Sequence, residues 1–248
     1  MTSTRWKLTI EYDGRPFMGW QSQPHGPSVQ DAVEEAVAKF SGETPRLHAA
    51  GRTDAGVHAL GQVAHFDLKR AAEPRTIRNA LNAHLRPRPI SILSAEEAPP
   101  GFHARLSARQ RRYRYVVLNR PARPALDEGR VWHVPVALNV EKMREAAAHL
   151  LGKHDFTSFR AAECQAKSPV KTLDRFEIEQ DGDKLLFHTE ARSFLHHQVR
   201  NMVGTLMLVG RGKWRAGQVA EALKACDRSA AGPTAPPEGL YLVGVDYP

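Results

Sequence analysis

Between two strand-like segments lies the run Ala50-Gly51-Arg52-Thr53-Asp54-Ala55-Gly56-Val57-His58-Ala59. It places a guanidinium, a hydroxyl and a carboxylate on three consecutive residues, and its glycines let backbone approach a ligand closely. A nucleophilic carboxylate must be ionised, and an arginine two residues away favours the charged form. In an extended loop Arg52 and Asp54 share a side. The same residues also fit a plain structural turn in which Thr53 or Asp54 acts as an N-cap. Residue types alone leave both readings open.

Other residues with chemical potential lie where the charge is concentrated. Thirty-five Lys and Arg against 27 Asp and Glu give the 248-residue chain a net charge of +8 and a pI of about 9.7. Residues 98–126 contain no acid and seven arginines: Arg105, Arg109, Arg111, Arg112, Arg114, Arg120 and Arg123. Phe102, His103, Tyr113 and Tyr115 are interleaved with them. Residues 191–220 are also free of acids and hold Arg192, Arg200, Arg211, Lys213 and Arg215, with His196, His197 and Trp214 among them. The first stretch supplies +7 of the +8 and the second +5, so the remaining chain sums to −4. Arginine forks onto phosphate and aromatic rings stack on bases, so this pattern suits nucleic acid; a pair of solvated basic faces is the bland alternative.

The 12 histidines, among them His58 with His65 and the adjacent His196-His197, invite a metal reading. The sequence argues against one. Neighbours on a helix diverge by about 100°, and no cysteine or carboxylate completes a recognisable ligand spacing. Cys164 and Cys226 are too few for a disulfide framework and read as reduced thiols of a cytosolic protein. The N-terminus has no apolar core of a secretory signal. The longest nearly apolar run, 202–210, falls far short of the roughly 20 residues that span a bilayer. A membrane protein is excluded on these grounds.

Periodicity supplies the elements that must hold these residues. Trp6 to Tyr12 alternates as a strand and leads into a Gly-punctuated loop. Ser28 is a good N-cap, with an acid at Asp31; Val29, Ala32, Val33, Ala36, Val37 and Phe40 repeat at helical spacing until Ser41-Gly42. Gly61 to Leu68, Ile90 to Leu93 and Gln110 to Leu118 read as strands, and Thr76 to Leu85 as a helix. Residues 119–129 are Pro-rich and read as a connector between halves 1–118 and 130–248. In the second half, Val140 to Leu151 is a helix. Phe176 to Gln180 and Leu185 to Thr189 form a hairpin around Asp181-Gly182. A long helix follows with the stripe Leu195, Val199, Met202, Val203 and Leu206, which sets His196 and Arg200 together at i, i+4 on another face. Gln218 to Lys224 is a short helix and Leu240 to Val245 a terminal strand. Strands joined by both hairpins and helices predict a mixed α+β fold of two sheet-and-helix halves.

Taken with the rest of the chain, the loop resembles the active-site loop of the tRNA pseudouridine synthase A family. The likeness extends in order through Glu11-Tyr12-Asp13-Gly14, residues 17–23, Gly61-Gln62-Val63 with His65-Phe66, Phe102-His103-Ala104-Arg105 and Arg111-Arg112-Tyr113-Arg114-Tyr115. It continues through Asp155-Phe156-Thr157-Ser158-Phe159-Arg160, His196-His197 with residues 199–204, and residues 238–247.

The resemblance implies a pseudouridine synthase fold whose mainly antiparallel strands form a central sheet, with an RNA-binding cleft between the halves. It implies isomerisation of uridine to pseudouridine at positions 38, 39 and 40 of the tRNA anticodon stem-loop, without metal or cofactor, by a cytoplasmic homodimer. Asp54 would be the nucleophile, acting at C1′ of the ribose or C6 of the base. Arg200 would pair with Asp54, Arg52 would contact the RNA and hold the flipped nucleotide, and Tyr113 would stack on the target uracil. Arg105, Arg111 and Arg112 would contact phosphates, while Tyr115 reads as sheet packing. Two alternatives keep the fold: a non-catalytic RNA-binding protein, and a synthase with another RNA target.

Overall fold

The computed structural model describes residues 3–248. The chain forms two compact units, one running up to Arg109 and including Tyr241–Pro248, the other spanning Gln110–Leu240. The division therefore lies ahead of the Pro-rich stretch 119–129, which is inside the second unit.

In the first unit, β1 (Thr4–Tyr12) turns Trp6, Leu8, Ile10 and Tyr12 into the core, as its period-2 pattern requires. The helix α1 (Val29–Ser41) begins where the Ser28 hydroxyl accepts from the Asp31 N–H, and it ends at Gly42 with φ 75°. Such a cap contributes about 1 kcal/mol, and glycine takes the left-handed closing position without a Cβ penalty. A short strand, β2 (His48–Ala49), precedes β3 (His58–Leu68). Next comes α2 (Pro74–Leu85), whose Ile77, Leu81 and Leu85 recur every fourth residue on its buried side, and then β4 (Ile90–Glu97). β1 lies between β3 and β4, antiparallel to both. Ile10 pairs with Gln62 but Tyr12 with Ala59, so β3 carries one extra residue at Leu60–Gly61. Bulges of this kind bend a strand and re-aim its side chains.

The second unit opens with β5 (Gln110–Leu118), followed by the two-residue β6 (Trp132–His133), α3 (Val140–Ala148) and β7 (Gly152–Asp155). A hairpin of β8 (Val170–Asp181) and β9 (Lys184–Ala191) then leads to α4 (Gln198–Gly210) and α5 (Gly217–Ala225). Continuous antiparallel pairing from Arg111↔Ala191 to Leu118↔Lys184 binds β5 to β9, which is why β5 belongs to this unit despite preceding the Pro-rich stretch. β8 lies between β9 and β7. The hairpin turns at residues 182–183, with Gly182 at φ 56°. The last strand, β10 (Leu240–Asp246), runs parallel to β3 through Tyr241↔His58 and Leu242↔Ala59, which ties the end of the chain to the first unit. The outcome is mixed α+β, with mostly antiparallel strand pairing within each unit. No helix among the described residues is long and apolar enough to cross a membrane.

Candidate active site

Residues 50–57 form an ordered loop on the first unit, between β2 and β3. Asp54 is half-buried and Arg52 exposed. The Val57 N–H donates to the Asp54 carbonyl at 3.2 Å, closing a turn in which Gly56 takes φ 77°. Thr53 and Asp54 therefore cap no helix. The segment just ahead of Asp54 is tied at three points, two on its backbone and one on a side chain. The Trp20 N–H donates to the Thr53 carbonyl at 3.0 Å, the Gln62 amide donates to the Gly51 carbonyl at 2.8 Å, and the Thr53 hydroxyl meets the Tyr12 hydroxyl at 2.7 Å. Burial pushes the Tyr12 hydroxyl up to about 12, so it is a neutral phenol.

Glycine is required where the neighbouring segment crosses this loop. A Cβ on Gly14 would sit 2.1 Å from the Val57 carbonyl oxygen, and one on Gly19 would sit 2.6 Å from that of Thr53. Just past the loop, buried His58 accepts from the Gly14 N–H through Nδ1 at 3.1 Å, and its ring stacks on Tyr241 at 4.8 Å. The Asp13 carboxylate lies 3.3 Å from the same nitrogen. Burial alone would raise the Asp13 carboxyl, but hydrogen bonds from the Arg15 side chain and backbone outweigh it and hold the acid at about 2. Elsewhere in this unit Arg105 is exposed, on a segment whose turn is closed by His103 Nδ1 accepting from the backbone of Arg105 and Leu106.

In the second unit, Tyr113 on β5 is half-buried, with Phe194 set edge-on at 5.2 Å, and Arg112 beside it is exposed. Arg111 is different. It is only 8% exposed and its guanidinium donates to the Arg192 carbonyl, so the residue expected as a third phosphate contact is a tie between β5 and the end of β9. Tyr115 is fully buried among Trp132 and Phe187, donates to the Pro236 carbonyl at 2.8 Å, and has its pKa raised by burial. That is the packing role expected of it.

Arg200 sits in the first turn of α4, where its Nε donates to the Ala235 carbonyl at 2.8 Å while its own carbonyl accepts from the Ala235 N–H. The apolar spacing predicts Leu195 and His196 on this helix, and the structure places both ahead of it. α4 starts at Gln198, and His197 before it takes a left-handed φ of 62°. His196 therefore shares no helical face with Arg200. The 100° divergence that weighed against metal does not apply either, because the two histidine rings lie 4.0 Å apart.

Tyr12, Gln62, Asp13 and His58 were given no role from the sequence. For Tyr12, Gln62 and His58 the available signal is a polar group at an inward strand position, where a hydrophobe is the default.

Comparison with known proteins follows the same lines. A model of the tRNA pseudouridine synthase family matches residues 8–106 and 146–248. The chain is 58% identical over 244 residues to the tRNA pseudouridine synthase A of Rhodospirillum rubrum, covering 98% of this chain and 88% of that protein. It is 58% identical over 243 residues to the protein of the same name from Nitrobacter winogradskyi, covering 98% and 95%. To that of Acidiphilium cryptum it is 57% identical over 245 residues, covering 98% and 96%. The chain belongs to the tRNA pseudouridine synthase family. One solved chain, from the "Crystal Structure of a Cbf5-Nop10-Gar1 Complex", aligns at a TM-score of 0.36 and 12% identity over 82% of this chain and 45% of the other, too distant a likeness to bear on the site.

Proposed function

We propose that Asp54 is the nucleophile through which this family member isomerises uridine to pseudouridine, at positions 38, 39 and 40 of the tRNA anticodon stem-loop. The isomerase activity on tRNA follows from family membership. The observation that carries the role of Asp54 is its place at the end of a segment fixed by three hydrogen bonds, half-buried and followed by a closed turn. A carboxylate held this way gives up little entropy when it attacks.

The reaction balances without a co-reactant. The N1–C1′ bond breaks, the uracil turns, C5 bonds to C1′, the C5 proton leaves, and N1 gains a proton. The target base must leave its stack first. A ring such as that of Tyr113 stabilises an extruded base by ~1–3 kcal/mol. Arg52 holds the flipped nucleotide, Arg200 supplies positive charge to the reaction, and the exposed Arg105 and Arg112 contact phosphates. A cytoplasmic location is part of the same reading, supported by the free thiols of Cys164 and Cys226 and by a tRNA substrate, and a homodimer is what the family resemblance implies.

The test is release of tritium from C5-labelled uridine in tRNA. Wild-type protein is expected to release label at the three anticodon-arm positions and Asp54→Asn to release none. Robust release by Asp54→Asn overturns the nucleophile, and binding without release by the wild type points to a non-catalytic RNA binder. Release from other positions redirects the target.

A further inference from the structure

The bulge at Leu60–Gly61 does more than bend β3. It shifts the register so that Tyr12, at the end of β1, and Gln62, on β3, both reach the underside of the loop that carries Asp54. Both are closed off from solvent, Tyr12 at 3% exposure and Gln62 at 0%, and Thr53 above them is 7% exposed. The Gln62 amide donates to the Gly51 carbonyl at 2.8 Å. Its Oε1 accepts from the Val63 N–H at 3.2 Å. The Tyr12 hydroxyl in turn meets the Thr53 hydroxyl at 2.7 Å.

A core of Trp6, Leu8 and Ile10 continues along β1 toward Tyr12, and a phenylalanine there would fill the same space. The hydroxyl adds a buried polar group that stabilises only while it is paired. What it is paired with is the side chain immediately before Asp54.

We propose that Tyr12, together with Gln62 at Gly51, is a positioning residue for the isomerisation, fixing residues 51–53 so that the Asp54 carboxylate is aimed. This rests on Asp54 being the nucleophile. Tyr12 touches no reacting atom and acts through Thr53. A loop that loses this hold still binds tRNA, because the exposed arginines are untouched, but it presents the carboxylate in a spread of orientations. Displacements near 1 Å can cost about 100-fold in rate.

The experiment compares Tyr12→Phe, Thr53→Val, the double variant and Asp54→Asn by single-turnover tritium release, with KM for tRNA and thermal midpoints measured alongside. Tyr12→Phe is expected to lower kcat by about 10- to 100-fold with KM changed less than about 2-fold, the pattern of a lost transition-state alignment. Thr53→Val is expected to lose a similar factor and the double variant little more, because both remove one hydrogen bond. Thr53→Ser, which keeps the hydroxyl, is expected to recover most of the loss. If Tyr12→Phe does not fold, Thr53→Val against Thr53→Ser decides alone.

A folded Tyr12→Phe with wild-type kcat overturns the proposal, as does a loss appearing only in KM or a double variant whose losses multiply. If Asp54→Asn is dead while Tyr12→Phe is normal, only the positioning role fails. If Asp54→Asn remains active, the nucleophile assignment fails and the proposal falls with it.

Discussion

His65 sits 2% exposed on β3, with its ring 4.7 Å from that of His103 and 5.1 Å from that of His48. Its Nδ1 accepts from the Ala104 N–H at 3.2 Å, a bond only the neutral ring can make. Burial, then the charges of His103, Arg5 and His48, push its pKa down to about 4. The folded pKa lies below the unfolded value of about 6.5, so on acidification the unfolded chain takes up a proton first, and stability falls between about pH 6.5 and pH 4. The loss should be on the order of 2–3 kcal/mol across that window. Denaturant midpoints at pH 7.5, 6 and 5 check this: His65→Asn, which keeps an acceptor near Nδ1, should show a shallower pH dependence than the wild type. Equal slopes would remove His65 from the acid response. At this scale the sequence was informative where a residue type is chemically unusual, as with the Arg52–Asp54 pair. It was mute about Tyr12 and Gln62, whose importance comes from a one-residue register shift that no periodicity records. Arg111 shows the converse: in a run of arginines its type gives no hint that this one points inward.

Most helices and strands were legible from spacing and caps. Gln110–Leu118 and the Ser28–Gly42 span agree with the sequence boundaries because alternation and capping chemistry are strong there. The two-residue strands at His48–Ala49 and Trp132–His133 carry no repeat that could reveal them. The start of α4 was misplaced because the apolar stripe runs past the helix: Leu195 is buried like a helical residue while the chain there is still irregular. Further along α4, a Cβ on Gly204 would lie 1.8 Å from the Pro233 carbonyl oxygen and 3.0 Å from the Ala235 nitrogen. The segment that bonds Arg200 thus packs directly on the helix backbone. Gly204→Ala should gain about 1 kcal/mol in helix propensity and lose more, for a net destabilisation of about 1–3 kcal/mol. A urea midpoint at or above the wild type's would show that the segment yields freely.

Across the whole molecule the charge is partitioned, with two acid-free stretches outweighing a body of net −4. The exposed Arg105 lies in the first of them. Arg105→Ala should weaken tRNA binding and reduce the slope of log affinity against log salt by about 1, as expected when one phosphate contact is lost. An unchanged slope in a salt titration would take Arg105 out of the interface. The division into units was the least legible feature at this scale. A Pro-rich segment signals a boundary by composition, whereas the actual division follows strand pairing between residues far apart in sequence. Because β10 is made only after the whole of the second unit, the first unit is assembled from an early segment and a late one. Ribosomes therefore synthesise the Asp54 loop long before the strand whose Tyr241 stacks on His58 and whose Val243 carbonyl packs against Gly61. A nascent chain halted ahead of Tyr241 has every proposed site residue but leaves His58 and Ala59 on β3 without their parallel partners.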